Sequence, residues 1–471
     1  MSEHTHTRRR WARSGVLLLA LLLGAGAGAF GQPSGLRIVG EQTTSISQYG
    51  ITWTFSGPVE SGQYVTGDYW VIGPVEIVNI DPPSVVTGGR VINGSMINPD
   101  PDDGSVQGFD SQPRNTGYRE SLNVARPGGE ELSDANPLVV QPGSSLMSAI
   151  SHPTPGTRPQ ITDAAVLTVI DSRPPDDAFR PPFSGTDKRA RYRYADLDTS
   201  LLRRLAPVPS TPSLAQITEE FRRPWPDFIP DWMQRDTQAL NNMPVYGRNV
   251  ASMVGIGALM LHLDYSVDAK RELLIGFIQR GIDYWGIVQD GGTENWIPNG
   301  GHGSGRKWPI LFAGIMLGDT AMQNLGPGDG TGVAYFGEDA QTFIVDEDDI
   351  SRFLRPTDGS NIQQYGEQHR GMPEWGIRHA QDPFRDNADW RAGYRSCCTA
   401  VAWSGFVLAA RIMDAQDLWD HAPLFHYQDR YMLTAGGMED EWDVNGEPSG
   451  ENYRTWVPFT AEMWDRYRSR F

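Results

Sequence analysis

Asn299, His302 and Arg306 lie close together in "NGGHGSGRK", a glycine-rich loop that runs directly into the apolar stretch "WPILFAGIML". An amide, an imidazole and a guanidinium on one loop can neutralise a carboxylate and take a proton from the carbon beside it. Two other stretches carry the same kinds of group. "QHRGMPEWGIRHAQDP" holds His369, Arg370, Arg378 and His379, and "DWRAGYRSCC" holds Arg391, Tyr394 and Arg395 just ahead of an apolar run. In "YGRN", Arg248 and Asn249 begin a further apolar run, where a polar pair can line a cavity or simply start a solvated helix. Removing the C5 proton of a uronic acid needs these functions together: a neutralised carboxylate, a His or Tyr base, and an acid such as Tyr to protonate the departing O4.

Other chemistries fit the loop less well. A nucleotide-binding P-loop needs G-x-x-x-x-G-K-[ST], but here Lys307 is followed by Trp308. Gly301, Gly303 and Gly305 alternate, which is not the dinucleotide spacing G-x-G-x-x-G. His302 is the only histidine of its loop, so a metal site would have to recruit His369 or His379 from far along the chain. We therefore expect neither a metal nor a cofactor. The C-terminal half holds most of the fifteen tryptophans, interleaved with charges. Sugar rings present apolar C–H faces that stack on aromatic rings, although most tryptophans at helical spacing fill helix interfaces. Trp296 and Trp375 sit in Gly- and Pro-containing loops and are the candidates for substrate contact.

The composition narrows the partners. A net charge of −18 over 471 residues leaves no basic field for nucleic acid, and an anionic substrate must be met by a local arginine cluster. Residues 1–31 read as a signal peptide: "RRRWAR" is a basic start, and "GVLLLALLLGAGAGA" is an apolar segment ending in small residues. The expected destination is secreted or periplasmic. The apolar segment is too short to span a bilayer comfortably, so no stable membrane insertion is expected. The two cysteines, Cys397 and Cys398, are adjacent and cannot staple a loop. They read as two small buried residues at a helix start, with a strained vicinal disulfide as the alternative.

The elements that must position these residues fall into two patterns. Residues 32–195 are rich in alternating Val, Ile, Tyr, Trp and Thr between Gly/Pro/Asn/Asp loops, which predicts a β-sandwich-like domain. Residues 196–213, including "LAPVPSTPS", read as a proline-rich linker. Residues 214–471 show a helical period in "YGRNVASMVGIGALMLHLD", "SVDAKRELLIGFIQRGIDYWGIVQDG", "KWPILFAGIMLGD" and "CCTAVAWSGFVLAARIMD". Buried helices joined by long loops predict a helix-pair barrel, an α/α toroid.

On "NGGHG", "GYRS" and the helical architecture of 207–471, the chain resembles the secreted α/α-toroid polysaccharide lyases of the alginate lyase and heparinase II/III-like type. That resemblance implies β-elimination on an anionic, uronate-containing polysaccharide. By analogy Asn299 and His302 neutralise the uronate or act as base, Tyr394 is the acid or base, and Arg395 or Arg306 holds the carboxylate. Arg248, Asn249, Trp296, His369, Arg370, Trp375 and His379 complete the substrate surface. The chain departs from the family in two ways: Gly300 and Gly301 separate Asn299 from His302, and the β module comes first. A glycoside hydrolase on the same scaffold would instead use a carboxylate pair such as Asp290 with Glu294, Glu367 with Glu374, or Asp386 with Asp389. A non-catalytic carbohydrate-binding or surface protein is the third reading.

Overall fold

Period-two burial builds the first part of the molecule. In β2 (Ile51–Gln63), Ile51, Trp53 and Phe55 point inward and alternate with less buried residues. The computed structural model describes residues 39–102, 106–113, 117–229, 243–244, 247–351, 367–375, 398–433 and 455–471. One eight-stranded sheet comprises β1 (Val39–Gln48), β2, β3 (Tyr69–Ile72), β4 (Val75–Asp81), β5 (Ser95–Ile97), β6 (Leu138–Val140), β7 (Ser144–Ser151) and β8 (Ile161–Ile170). Its order is β6-β4-β2-β3-β8-β7-β5, with β1 on the other edge of β2. Only the β3–β8 pair is parallel within it.

This arrangement corrects the β-sandwich expectation. The strands form one curled sheet, a half-barrel, and not two stacked sheets. The physical cause is β2. Its first residues pair with β4 and its last with β3, so the long strand feeds two arms that curl over a shared core. Trp53, Phe55, Ile77, Leu167 and Val169 fill that core. The outer faces of β7 and β8 are buried as well: Met147, Ala149 and Val166 belong to the large core of the helical region. Strands covered on both faces read as continuous apolar runs, which is why "AAVLTVI" in β8 barely alternates.

The four apolar stretches form helices α2 (Gly247–Leu261), α3 (Arg271–Gln289), α4 (Lys307–Leu317) and α5 (Ala400–Ile412). With α1 (Leu214–Arg222), α6 (Ala422–Leu433) and α7 (Pro458–Tyr467) they surround one core. The α/α-toroid expectation is also corrected. Among the described residues the region is mixed, with short helices and an antiparallel strand pair, Thr342–Ile344 with Pro373–Trp375, between α4 and α5. α2 packs chiefly on α5, far away in sequence, and α3 on both α1 and α4. Small residues set that pairing: Gly255 of α2 meets Gly405 of α5 backbone to backbone, and a Cβ on Gly255 would lie 2.8 Å from the Gly405 Cα. The chain therefore follows close-contact surfaces, and successive helices do not pair in turn around a ring.

A buried ion network joins sheet and helices. Arg180 Nε donates to Asp68 Oδ2 ahead of β3 at 2.7 Å, and its Nη2 donates to Asp283 Oδ2 of α3 at 2.7 Å. The proline-rich stretch is held against the body: Tyr467 Oη donates to the Ala206 carbonyl at 2.7 Å, and the Leu205 amide donates to the His262 carbonyl at 2.9 Å. Among the described residues no helix is long and apolar enough to cross a membrane. The expected signal segment 1–31 lies outside the described residues.

Candidate functional site

The glycine-rich loop is anchored by Arg306, which is fully buried. Its Nε donates to Asp227 Oδ2 at 2.9 Å, and its Nη1 donates to the carbonyls of His302 and Ser304, each at 2.7 Å. Asp227 also accepts the Tyr284 hydroxyl at 2.9 Å. Burial pulls the Arg306 pKa down and the Asp227 charge more than restores it, so the guanidinium stays charged. A buried cation already matched by a carboxylate is a poor ligand for a second one. Its role here is to fold the loop around itself.

Lys307 is spent in the same way, on Asp339 Oδ2 at 2.5 Å and on the carbonyls of Gly326 and Trp419. Trp296 is sealed between Tyr284, edge-on at 5.2 Å, and Phe336, stacked at 5.9 Å. Below the loop, Glu338 Oε2 accepts the Gly305 amide at 3.1 Å, while its Oε1 has no hydrogen-bond partner. Burial, with Asp339 adjacent, pushes the Glu338 carboxyl up to about 8, so it is mostly neutral at pH 7.

The glycines explain where the loop sits. A Cβ on Gly301 would lie 1.6 Å from the Cys398 carbonyl oxygen and 3.0 Å from the Arg248 Cβ, so only glycine fits. Gly305 adopts φ +87 and abuts the Ala251 Cα of α2, where a Cβ would come within 2.6 Å. The loop backbone is thus pressed onto the start of α2 and the residues that open α5. Cys398 is disulfide-bonded, so the reading as two small buried residues gives way to the disulfide alternative; Cys397 lies outside the described residues.

This packing brings four of the expected residues together. His302 is half-buried, and its amide closes a turn onto the Asn299 carbonyl at 3.1 Å. Asn299 is half-buried too. The His302 backbone lies against Gly247, beside the half-buried Arg248 and Asn249, and a Cβ on Gly247 would come within 2.3 Å of the His302 Cα. The Arg248 guanidinium covers the Trp456 ring at 4.6 Å, and its Nη1 approaches Cys398 Sγ at 3.7 Å. The backbone that carries Asn299 and His302 thus lies against the first turn of α2, which carries Arg248 and Asn249.

Other expected residues lie elsewhere. His369 is buried in a short turn at Glu367–His369, and Arg370 is exposed on Glu367 and Glu347. Trp375 is buried in the strand pair Thr342–Ile344/Pro373–Trp375, which packs on α6. Trp375 and Trp296 are therefore core residues with no face to offer a sugar. Tyr394, Arg395 and His379, with Arg378 and Arg391, lie outside the described residues; in sequence Cys398 stands three residues after Arg395.

Sequence reasoning missed Asp227, Tyr284 and Glu338. Asp227 follows the Trp225–Pro226 pair, and nothing local marks it as the partner of an arginine seventy-nine positions on. Glu338 stands in a strongly acidic stretch, where one more carboxylate carries no signal. Among the described residues no group of three or more His, Cys, Asp or Glu is placed to hold a metal ion. No protein-family model, no curated protein and no solved structure matches this chain.

Proposed function

We propose that this protein is an exported carbohydrate-active enzyme that cleaves a uronate-containing polysaccharide by β-elimination at the Asn299–His302 patch. The observation supporting this reading is that the loop carrying half-buried His302 and Asn299 packs its backbone against Gly247, next to half-buried Arg248 and Asn249 in the first turn of α2. Arg306 is matched by Asp227 and shapes the loop; Arg248, half-buried beside the His302 backbone, is the residue proposed to address the uronate carboxylate. With the carboxylate held by Arg248 and the two amides, charge developing at C5 and its carboxylate is stabilised. His302 takes the C5 proton, and the freed electron pair becomes the C4=C5 double bond. The C4–O4 bond breaks, and O4 leaves with a proton from an acid, for which Tyr394 is the proposed donor, with Arg395 supporting.

The test is incubation of the full chain with alginate, glucuronan and other uronate polymers, following the ultraviolet absorbance of the unsaturated product. Elimination produces that absorbance in step with new reducing ends. Reducing ends without unsaturation would assign a hydrolase, and retention on glycans without any cleavage would assign a binding protein.

A further inference from the structure

Most described tryptophans are sealed in the core; Trp285 and Trp456 keep partial exposure, and the Trp456 ring lies under Arg248. Trp285 instead lines a cleft of about 280 Å³ between α3 and the segment Phe179–Tyr192. We propose that this cleft is a second saccharide-binding site, one that holds a pyranose ring of the polymer away from the His302 patch. The inference rests on the reading of this protein as a polysaccharide-processing enzyme, and it names where that polymer gains additional hold.

Three observations carry it. The first is that the cleft is pre-shaped. Lys188 Nζ donates to the carbonyls of Pro182, Phe183 and Ser184 at 2.6, 3.2 and 3.0 Å, which fixes the turn of the outer wall. The Gly185 amide donates to Asp290 Oδ2 at 2.8 Å, which ties that wall to the end of α3. A Cβ on Gly286 would lie 2.1 Å from the Pro182 Cβ, so wall and helix are in direct contact beneath the opening. A site ordered before its ligand arrives loses less entropy on binding.

The second is chemical. Trp285 offers an aromatic face for the C–H side of a sugar ring, and polar groups surround it. Asp187 is gripped by Arg189 through Nε at 2.8 Å and Nη2 at 2.6 Å, and by Arg191 through Nη2. Carboxylate and guanidinium side by side present both acceptors and donors to ring hydroxyls. Exposed Gln289 adds an amide.

The third is balance of charge. Arg189 and Arg191 offset Asp187 and Asp290 in the lining, so the cleft lacks the strong negative field that a chain of net −18 would otherwise turn on an acidic polymer.

The test compares retention of the full chain on gels carrying a uronate polymer or a neutral glucan, for wild type, Trp285→Ala and Arg191→Gln. Arg191 is exposed, so its variant folds even if the tryptophan change disturbs α3. We expect both variants to lose retention on the uronate gel by roughly tenfold, with turnover of a short oligosaccharide unchanged. Loss on the neutral gel as well identifies the ring itself, and not its carboxylate, as what is bound, which also supports the site. Wild-type retention in both variants overturns it. If the variants lose retention while no polymer is ever cleaved, the cleft stands and the elimination reading fails; if elimination occurs and both variants bind as wild type, only the cleft fails.

Discussion

Two arginine-bearing loops make opposite use of the same residue types. In Asn299–Lys307 the cations are buried and matched: Arg306 by Asp227 and Lys307 by Asp339. In Asp187–Arg193 the arginines stay outside, with Arg189, Arg191 and Arg193 shared between Asp187 and Asp177, while Lys188 turns inward onto backbone carbonyls. The difference follows from what comes next along the chain. Arg306 and Lys307 lead directly into α4, whose residues are nearly all buried, and a helix that enters a core carries its first turn inward. Arg189–Arg193 continue into extended backbone and short surface turns. Arg306 and Lys307 are thus structural anchors, whereas Arg189 and Arg191 keep their guanidiniums at the surface.

That contrast can be broken at several points. Arg306→Ala leaves Asp227 buried and uncompensated, and is expected to cost about 3–5 kcal/mol of stability by denaturant unfolding. A loss below about 1 kcal/mol would mean that the pair is not the anchor of the loop. Gly301→Ala forces a methyl group into the Cys398 carbonyl and is expected to cost about 1–3 kcal/mol. Reduced protection of the loop amides in hydrogen exchange should accompany it, and unchanged stability and exchange would show that loop and helix are not in contact.

Glu338 gives a pH test of the same anchor. Its folded pKa, raised to about 8, lies above that of an unfolded glutamate, so its contribution to stability is fully present at acidic pH. That contribution falls as pH rises from the ordinary carboxylate range through about 8. Glu338→Gln cannot ionise and keeps an acceptor for the Gly305 amide, so its Tm relative to wild type should climb over that interval and level off above it. A constant difference in Tm from pH 5 to 9 would contradict a neutral, buried Glu338. The smallest effect belongs to the outer loop: Arg189→Ala removes an exposed, solvent-screened ion pair and should leave the Tm essentially unchanged. A large loss there would erase the distinction between the two loops.

Much of the local structure was legible in the sequence, while the assembly was not. The four apolar helices appear where composition places them, because runs such as "KWPILFAGIML" have no polar face to leave in water. Strand content was readable from alternation in β2. One curled sheet and two stacked sheets, however, share the same alternation, and the split pairing of β2 decides between them. Likewise the pairing of α2 with α5 rests on Gly255 meeting Gly405, a contact across one hundred and fifty positions that no local window reveals. At the site, residue type pointed to His302, Asn299, Arg248 and Asn249; in the structure the backbone of the loop packs on the first turn of α2. It could not tell that Arg306, Trp296 and Trp375 are buried, because burial is set by distant partners such as Asp227, Phe336 and the residues of α6. The glycines of the loop allow close backbone packing against α2 and Cys398, a role that depends on partners far along the chain.

The central claim is that His302 removes a proton from a uronate held at the α2–loop patch. It is tested most directly by comparing wild type with His302→Ala on a panel of uronate polymers, recording unsaturated product and reducing ends together. The account predicts matched appearance of both with wild type, and loss of both in the variant at unchanged thermal stability. Reducing ends without unsaturated product, or a variant that turns over at the wild-type rate, would contradict it.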